Sequence, residues 1–407
     1  MTLKVAIVGL SSRATTSWAG SAHIPYLLSK RGQERFQIVA LVNSSVDAAK
    51  SAIDHFKLSG STKAYGDPAA LAKDITEGKI DVNLVTIATR VDVHYPVALP
   101  ILKAVAEAKN KPSNFGILVE WPLASNTLDA RELASFTGPK SGIRSAVSLQ
   151  GRVTPAFQAV TNAIASGKIG RILSADVTGF GGSISRDSLG EGLAYFLDRS
   201  IGGNFITIGL GHLIDSIQFA IGDLKDTKAL SQIQRPNIKL TRSEKDGSTT
   251  VVKTVTSNVP DLISVLGTLK PRKGDGEQYF SDGSATLQVR LRRGEPFPGD
   301  NSLVFSVTGE KGELRLTSQA VMFIQAAGGG NNNEGSTAVK ISLHDFATNK
   351  VTDVPWSWPD WQNDQEKVPS RNIGALYEAY AENREADYAT FADAVVRHEQ
   401  IENWLDQ

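Results

Sequence analysis

The chain contains no cysteine among its 407 residues, which excludes disulfide bonds, thiolate nucleophiles and cysteine-ligated zinc. Its 43 lysines and arginines balance 43 aspartates and glutamates, so the formal net charge is zero. Because non-specific nucleic-acid binding needs a positive field, this balance argues against a nucleic-acid partner. No apolar run approaches the roughly 18 residues that span a bilayer, so we expect no membrane association. We predict no metal site.

The N-terminus shows no secretory pattern, because Met-Thr-Leu-Lys leads directly into the short apolar run Val5–Val8. We therefore expect a cytoplasmic protein, with a nuclear location left open. Hydrophobic residues make up 41% and charged residues 21%, which is ordinary for a globular protein. The length suffices for two domains, each with its own core.

The first 150 residues alternate short apolar strands with helical segments. A strand over Val5–Val8, a helix that starts over His23–Arg31 and a strand over Phe36–Val42 open the series, and Ser145–Gln150 is a strand that ends it. Such βαβ units need crossover helices and form a parallel sheet covered on both faces. We predict an α/β dinucleotide-binding Rossmann domain over residues 1–150.

Residues 151–407 have a different pattern, typical of an α+β domain on a large, mainly antiparallel open sheet. Thr286–Leu291 alternates apolar and polar residues, Ala229–Leu240 reads as one strand, and the last helices begin near Asn372. We expect those helices to pack back on the first domain. The outer face of an open sheet must be covered, which favours a homodimer.

Two long connections stand out by composition in this second half. Residues 327–337 are rich in glycine and asparagine and predict a flexible loop. Residues 355–368 are rich in tryptophan and proline, and we expect them to pack across the surface.

The first strand ends at Gly9, a position that can place a pyrophosphate on backbone amides. The glycine motif is incomplete, because Ser11 and Ser12 follow Gly9 and the next glycine is at position 20. The second strand ends in Asn43 and Ser44 with no carboxylate for the ribose of NAD. We predict a nucleotide site with NADP favoured over NAD, and NAD left open.

Two further segments follow strands at the same carboxyl edge of the sheet, where ligands of open α/β sheets bind. After the strand predicted over Asp81–Thr86, the cofactor candidates are Ala88, Thr89, Arg90 and His94. After the strand over Gly116–Val119, they are Glu120, Trp121 and Pro122. A helix-start role for His94 and a turn role for Pro122 remain alternatives.

These segments, taken in order with Ser148–Arg152 and with Gly202–Asn204 ahead of Gly211-His212, resemble the glucose–fructose oxidoreductase and inositol dehydrogenase family. Within that family, the chain is most similar to repressors of the fungal galactose pathway, which Val-Glu-Trp-Pro-Leu-Ala over 119–124 resembles. The resemblance implies a dinucleotide-binding domain and a substrate or dimerisation domain over nearly the whole chain.

The same resemblance implies that most of the usual catalytic set is missing. The family has Glu-Lys-Pro where this chain has Glu120-Trp121-Pro122, and an indole can neither carry the lysine's charge nor transfer a proton. The family's aspartate, one helical turn before its histidine, corresponds to Ile208. The histidine itself is retained as His212, with Asp215 three residues later.

If catalysis remains, it must use other side chains beside His212. Tyr195 in the loop predicted over 183–199 is a candidate proton donor, and Asp215 is a candidate that orients the imidazole. The candidates for holding a substrate are Arg152, Arg186 and Arg199. For each of these side chains, a structural or solvated role is the alternative.

Two functions follow from these residues. The first is an NAD(P)-dependent oxidoreductase that acts on a sugar, polyol or other hydroxylated small molecule with a non-standard acid–base set. The second is a catalytically silent NAD(P)-binding co-repressor that binds a protein partner. The sequence favours the first by a narrow margin, because the family is mostly enzymatic.

Overall fold

The computed structural model describes residues 2–12, 17–109, 112–181, 185–244, 246–273, 279–319, 322–326 and 339–407. The chain forms two compact units, and each draws on several segments. The first comprises Met1–Gln150, Ser200–Gly203 and Pro359–Glu399, and the second comprises Gly151–Arg199, Asn204–Trp358 and Gln400–Gln407. The first unit thus includes segments that come before and after residue 150, the domain boundary that the sequence predicts. The loop predicted over 327–337 lies outside the described residues.

The first unit is built on a six-stranded parallel sheet in the order β3-β2-β1-β4-β5-β6. Its strands are β1 Leu3–Val8, β2 Phe36–Val42, β3 Lys63–Tyr65, β4 Leu84–Ile87, β5 Gly116–Val119 and β6 Arg144–Val147. The central strands are buried on both faces, as crossover helices require. The predicted Rossmann sheet is confirmed. The last strand is shorter than the expected Ser145–Gln150, because a 3₁₀ turn begins at Gln150.

Six helices connect these strands: α1 Ile24–Leu27, α2 Lys30–Arg35, α3 Val46–His55, α4 Pro68–Thr76, α5 Val91–Glu107 and α6 Thr127–Ser135. Side-chain caps set several starts, as where Ser45 accepts from the backbone N–H of Ala48. The continuous helix expected over His23–Arg31 is wrong. A π-helical segment over Ala19–His23 precedes α1. Ser29, after α1, begins a separate helix, because its side chain caps α2 by accepting a hydrogen bond from the backbone N–H of Gly32.

The C-terminal segment completes the first unit with α9 Asp360–Asn363, α10 Val368–Ala381 and the first part of α11 Phe391–Asp406. Tyr377 of α10 stacks on Tyr26 with ring centroids 5.8 Å apart. The buried carboxylate of Glu378 accepts from the Tyr26 hydroxyl at 2.7 Å and pairs with Arg31 and Arg35. Satisfying this buried charge ties α10 to the N-terminal helices. Because α10 begins at Val368, helical structure starts before the expected Asn372. The helix α9 lies within residues 355–368, so part of the segment that we expected to pack across the surface is helical.

The second unit contains an eight-stranded sheet in the order β19-β18-β17-β16-β7-β15-β12-β9, in which only the β7–β15 pair is parallel among the described residues. Its strands are β7 Ile172–Phe180, β9 Leu224–Gln232, β12 Leu262–Leu269, β15 Thr286–Arg292, β16 Leu303–Gly309, β17 Gly312–Ser318, β18 Val339–Asp345 and β19 Lys350–Asp353. This mixed, mostly antiparallel sheet confirms the predicted class.

Among the described residues, the second unit also contains two smaller sheets and two α-helices that lie wholly within it. One sheet has the order β11-β10-β8, with β8 Ser188–Gly190, β10 Asn237–Ser243 and β11 Thr249–Thr256, and the other pairs β13 Arg272–Lys273 with β14 Tyr279–Ser281. The helices are α7 Pro155–Ala165 and α8 Gly211–Ile221, and a π-helical segment over Phe205–Leu210 precedes α8.

Two sequence expectations for this unit are wrong. The strand expected over Ala229–Leu240 is two strands, β9 and β10, because Pro236 between them cannot donate to a ladder. The segment expected as a loop over 183–199 contains β8 and a 3₁₀ helix over Glu191–Leu197, with residues 183 and 184 outside the described part of the chain.

We expect Gly116→Ala to lower the free energy of unfolding by about 1–3 kcal/mol through overpacking. A β-carbon there would collide with the buried Tyr380 hydroxyl and would lie 2.9 Å from the carbonyl oxygen of Arg144. Tyr380→Phe removes that hydroxyl and should restore part of the loss in the double variant. Gly60→Ala is the control, because nothing lies within 4 Å of that position. If urea unfolding showed that Gly116→Ala and Gly60→Ala lower the free energy of unfolding equally, overpacking at residue 116 would be contradicted.

Candidate functional site

The structure brings the ends of β1 and β4 together at the carboxyl edge of the parallel sheet. Gly9 has a φ of +95°, which favours glycine, and a β-carbon there would lie 2.8 Å from the Ala88 carbonyl oxygen and collide with Thr89. The predicted cofactor residues Gly9, Ala88 and Thr89 are therefore neighbours. This close approach gives a physical reason for a glycine at the end of β1.

The end of β2 is tied to the same loop. The Asn43 side-chain amide donates to the Leu10 carbonyl oxygen at 2.6 Å, while Ser44 is exposed. Ser12 is half-buried, with its hydroxyl 3.1 Å from that of Ser51, and Ser11 is also half-buried. Asn43 thus holds the turn that follows β1, and Ser44 is left accessible to a ligand at the edge.

The loop after β4 places Arg90 and His94 in different environments. Arg90 is exposed and donates two hydrogen bonds to Asp92, at 2.5 and 2.6 Å, which lower the pKa of that carboxyl. His94 is buried, with Nδ1 2.8 Å from the Pro122 carbonyl oxygen and Nε2 3.0 Å from the Thr89 carbonyl oxygen. Burial lowers the pKa of His94, although the two carbonyl contacts oppose this. His94 therefore joins the loops that follow β4 and β5.

Glu120, directly after β5, belongs to a buried polar network. Its carboxylate lies 2.7 Å from Nε2 of His23, and Nδ1 of His23 lies 2.9 Å from the Tyr377 hydroxyl. The Tyr377 hydroxyl also lies 3.1 Å from that of Thr86 in β4. Because a buried carboxylate needs partners, this network holds Glu120 in place from two distant segments of the chain.

Trp121 is 5% exposed, and the peptide bond to Pro122 is cis. Its indole packs against His398 of α11, with ring centroids 4.8 Å apart. Burial, and then His94, lower the pKa of His398 to about 3. The sequence did not single out His398, because it lies far along the chain and resembles an ordinary helix-face residue.

Trp18 is a second residue that the sequence analysis did not assign to the site. It lies between β1 and the π-helical segment that begins at Ala19. Its indole N–H is buried and has no hydrogen-bond partner within the described part of the chain. A buried donor without a partner is costly, so this N–H is a candidate contact for a polar ligand.

In the second unit, the structure pairs two residues for which the sequence predicted separate roles. Arg152 donates two hydrogen bonds to Asp215, both of 2.8 Å, and both side chains are buried. The Arg152 guanidinium also lies over the Phe219 ring at 5.2 Å. His212 occupies the first turn of α8 and is 9% exposed. In this bidentate geometry, the charges of Arg152 and Asp215 compensate each other.

The structure also shows the surroundings of the other three candidates of this unit, Tyr195, Arg186 and Arg199. Tyr195 is half-buried in the 3₁₀ helix over Glu191–Leu197. Arg186 lies 3.4 Å from a carboxylate oxygen of Glu295, and Arg199 pairs with Asp406. Each arginine that the sequence proposed for a substrate therefore faces a carboxylate. The catalytic and substrate roles of these residues stay predictions.

Ile208, which the resemblance predicts at the family's aspartate position, is not an acid. Ile208 lies in the π-helical segment over Phe205–Leu210, and Thr207 forms a capping box with Asn204. Within the described ranges, no group of three or more metal-ligating acid, histidine or cysteine side chains is placed to hold a metal ion. Nor does any helix in those ranges combine the length and apolar character that crossing a bilayer requires.

Two family models match successive parts of the chain. Residues 3–141 match the oxidoreductase family with an NAD-binding Rossmann fold, and residues 155–318 match the Gal80p C-terminal domain. The second model relates residues 155–318 to the C-terminal domain of Gal80p. The two matches together confirm the family and the likeness to galactose repressors that the sequence predicted.

Relatives of both functional types match the chain. The galactose/lactose metabolism regulatory protein GAL80 of Saccharomyces cerevisiae is 27% identical over 319 residues, which are 78% of this chain and 67% of that protein. Dehydrogenase aclE of Aspergillus oryzae is 24% identical over 402 residues, which are 98% of this chain and 94% of that protein. These relatives differ in function, so overall similarity does not choose between the two hypotheses.

A solved structure supports the fold. The crystal structure of a super-repressor mutant of Gal80p from Saccharomyces cerevisiae has a TM-score of 0.81 and 22% identity, and the match covers 100% of this chain and 95% of that chain. At this identity, the likeness concerns the fold alone.

The buried histidine beside Trp121 predicts a pH-dependent stability. His398 has a pKa of about 3 in the folded protein, while an unfolded histidine has one near 6.5. Between these values the unfolded chain binds the extra proton, so the free energy of unfolding falls as pH drops below about 6.5. We expect His398 to contribute a loss of about 1 kcal/mol between pH 6.5 and 5.5.

Chemical unfolding at a series of pH values measures this loss. His398→Gln should flatten the pH dependence by that amount, and His55→Gln, at an exposed position, is the matched control. If the free energy of unfolding of His398→Gln fell with pH as steeply as that of the wild type, His398 would not be the group that causes the loss of stability.

Proposed function

We propose that this protein is a nicotinamide-dinucleotide-binding regulator, which binds a protein partner in the cytoplasm or nucleus and does not carry out the lysine-based hydride transfer of its family. The observation that carries the proposal is Trp121, a buried indole in the family's lysine position. The similarity to GAL80 regulatory proteins supports it.

The residues at the sheet edge fit a dinucleotide. Gly9 allows the close approach of the β1 turn to Thr89, and Ser44 is exposed at the end of β2. No carboxylate occupies residues 43–45 to select the free ribose hydroxyls of NAD, so we expect NADP to bind at least as well as NAD. When bound, the cofactor supplies a nicotinamide ring that accepts or donates hydride.

Trp121 and His398, which pack against each other, provide no cation near neutral pH. An indole does not ionise in this range, and burial holds the pKa of His398 at about 3. Burial also lowers the pKa of His94. General acid–base catalysis works best with a group whose pKa lies near the working pH, so this part of the edge is suited to stacking and shape recognition.

The second candidate is an NAD(P)-dependent oxidoreductase that acts on a sugar, polyol or other hydroxylated small molecule. The similarity to dehydrogenase aclE over 98% of this chain favours it. In this function His212 would exchange the substrate proton, assisted by Tyr195. Because Arg152 and Asp215 pair with each other, we expect them to support α8 and not to touch the substrate.

Cofactor binding and turnover together separate the two functions. We expect NADH and NADPH fluorescence titrations to show binding, and Gly9→Ala to weaken it at least about tenfold, because its β-carbon would collide with Thr89. With a panel of sugars and polyols, nicotinamide absorbance should not change.

Gly60→Ala is the control for that substitution, since its position is open. Turnover of any panel member that is lost in His212→Ala would establish the oxidoreductase. Absence of binding to either dinucleotide would contradict both functions.

We also propose a homodimer through the open face of the eight-stranded sheet. Leu230 of β9 and Leu266 of β12 are 60% and 50% exposed on neighbouring strands. Contiguous exposed apolar groups favour a covered interface. We expect Leu266→Arg to shift sedimentation velocity from dimer to monomer, with Val251→Arg, at an exposed position on β11, as the control. A wild-type monomer at micromolar concentration would contradict the proposal.

A further inference from the structure

His94 has more hydrogen-bond acceptors around it than a neutral imidazole has protons to donate. The side chain is 1% exposed, with Nδ1 2.8 Å from the Pro122 carbonyl oxygen and Nε2 3.0 Å from the Thr89 carbonyl oxygen. A carbonyl oxygen only accepts hydrogen bonds, while a neutral imidazole has one N–H and one bare nitrogen. Only the imidazolium, with two N–H groups, donates to both carbonyl groups.

The protein without a ligand nevertheless favours the neutral ring. Burial lowers the pKa of His94, because a charge is costly away from water, and the two carbonyl contacts oppose this effect without outweighing it. One ring nitrogen therefore faces a carbonyl oxygen with no proton between them near neutral pH. Because the Nδ1 contact is the shorter of the two, we assign the proton to Nδ1 and the bare position to Nε2, beside Thr89.

The charged and titratable groups around the ring come from three elements of the first unit. Asp92 shares α5 with His94 and is paired with Arg90, and Glu120 directly follows β5. The charges of Glu120 and Asp92 both favour a proton on His94. On α11, His398 has a pKa of about 3, to which repulsion from His94 contributes, so it stays uncharged near neutral pH. His94 is therefore the imidazole of this pair that gains a proton first.

A short chain of contacts connects the ring to the turn after β1. Thr89, whose carbonyl oxygen faces Nε2, is also the residue with whose side chain a β-carbon at Gly9 would collide. The loop that His94 contacts therefore packs directly against the β1 turn. In this fold, that turn lies where an anionic diphosphate binds.

We propose that His94 is a proton-linked positioning residue of the dinucleotide site, neutral in the free protein and protonated on Nε2 by one proton from the solvent when the dinucleotide binds. The added proton lets the ring donate to Thr89 as well as to Pro122, so the loops after β4 and β5 are both held in the complex. A bound anion favours this proton, because opposite charges attract strongly where water is excluded. This role rests on the proposed function in one respect, that a dinucleotide binds.

The consequence is a dependence of binding on pH. Because the proton and the dinucleotide each strengthen the binding of the other, a lower pH must tighten dinucleotide binding. Uptake of one proton lowers the dissociation constant by up to about tenfold per pH unit, in the range between the pKa of His94 in the free protein and that in the complex. A ring that only filled space would give an affinity that does not follow its protonation.

Isothermal titration calorimetry of the full chain with NADH measures this uptake. NADH is the probe because its phosphodiester groups do not titrate near neutral pH, whereas the phosphate monoester of NADPH does. In two buffers of different ionisation enthalpy at one pH, the binding heats should differ by an amount that corresponds to uptake of up to one proton. The affinity should rise as the pH falls between about pH 8 and pH 6.

His94→Gln removes the titrating group and keeps an amide that donates to one carbonyl group. It should bind NADH with no proton uptake and with an affinity that does not change with pH. His55→Gln, at an exposed position on α3, is the matched control and should behave as wild type. Proton uptake that persists in His94→Gln would place the proton on another group, such as His23, and would overturn the proposal. An equal loss of uptake in His55→Gln would do the same.

A second measurement needs no substitution. In wild-type protein with ¹⁵N-labelled histidine, NMR distinguishes a protonated ring nitrogen from a bare one. Among the six histidines, one ring should pass from one protonated nitrogen to two when NADH is added. If no ring changes in the NADH complex, His94 does not have this role.

These results separate the role of His94 from the proposed function. NADH binding without proton uptake in wild type would overturn the role of His94 and leave dinucleotide binding established. Absence of NADH binding at every pH would contradict the proposed function and the role of His94 together.

Discussion

The arrangement of the first unit depends on one buried contact, between the Glu120 carboxylate and the His23 imidazole at 2.7 Å. A carboxylate taken out of water is costly without partners, and here the partners come from two distant parts of the chain. His23 belongs to the segment after β1, and Tyr377, on the other side of the imidazole, belongs to α10. The contact therefore fixes the end of β5 relative to both segments. The neighbouring residue, Trp121, is held in place as a consequence.

Trp121 is then a structural part of the sheet edge and not merely a lost lysine. The C-terminal helix α11 contributes His398 to its surroundings, and burial keeps that imidazole uncharged. A lysine side chain in the same place would bring a charge next to the uncharged imidazole of His398. The edge therefore keeps the close approach of Gly9 to Thr89, and the paired side chains Trp121 and His398 carry no charge near neutral pH.

The second unit distributes its charges differently. Arg152 and Asp215 neutralise each other in a buried bidentate pair, so neither offers a free charge to a ligand. On the surface, Arg290 and Arg292 are not neutralised in this way, and Arg292 is held by carbonyl oxygens.

The sequence by itself determined the parallel sheet and the segments that follow its strands, and its resemblance to a family predicted that Trp121 takes the place of a lysine. These features depend on local patterns, because strand periodicity and the residue that follows a strand can be read directly along the chain. It also indicated that the C-terminal helices pack back on the first domain. It was wrong at Pro236, where a turn interrupts what reads as one strand.

Only the tertiary structure decided which side chains contact one another. His398 beside Trp121, Tyr377 beside His23, and Asp215 on Arg152 join residues that no local pattern connects. Contacts of this kind arise from how helices and strands pack, and packing depends on the shape of the whole core and not on spacing along the chain.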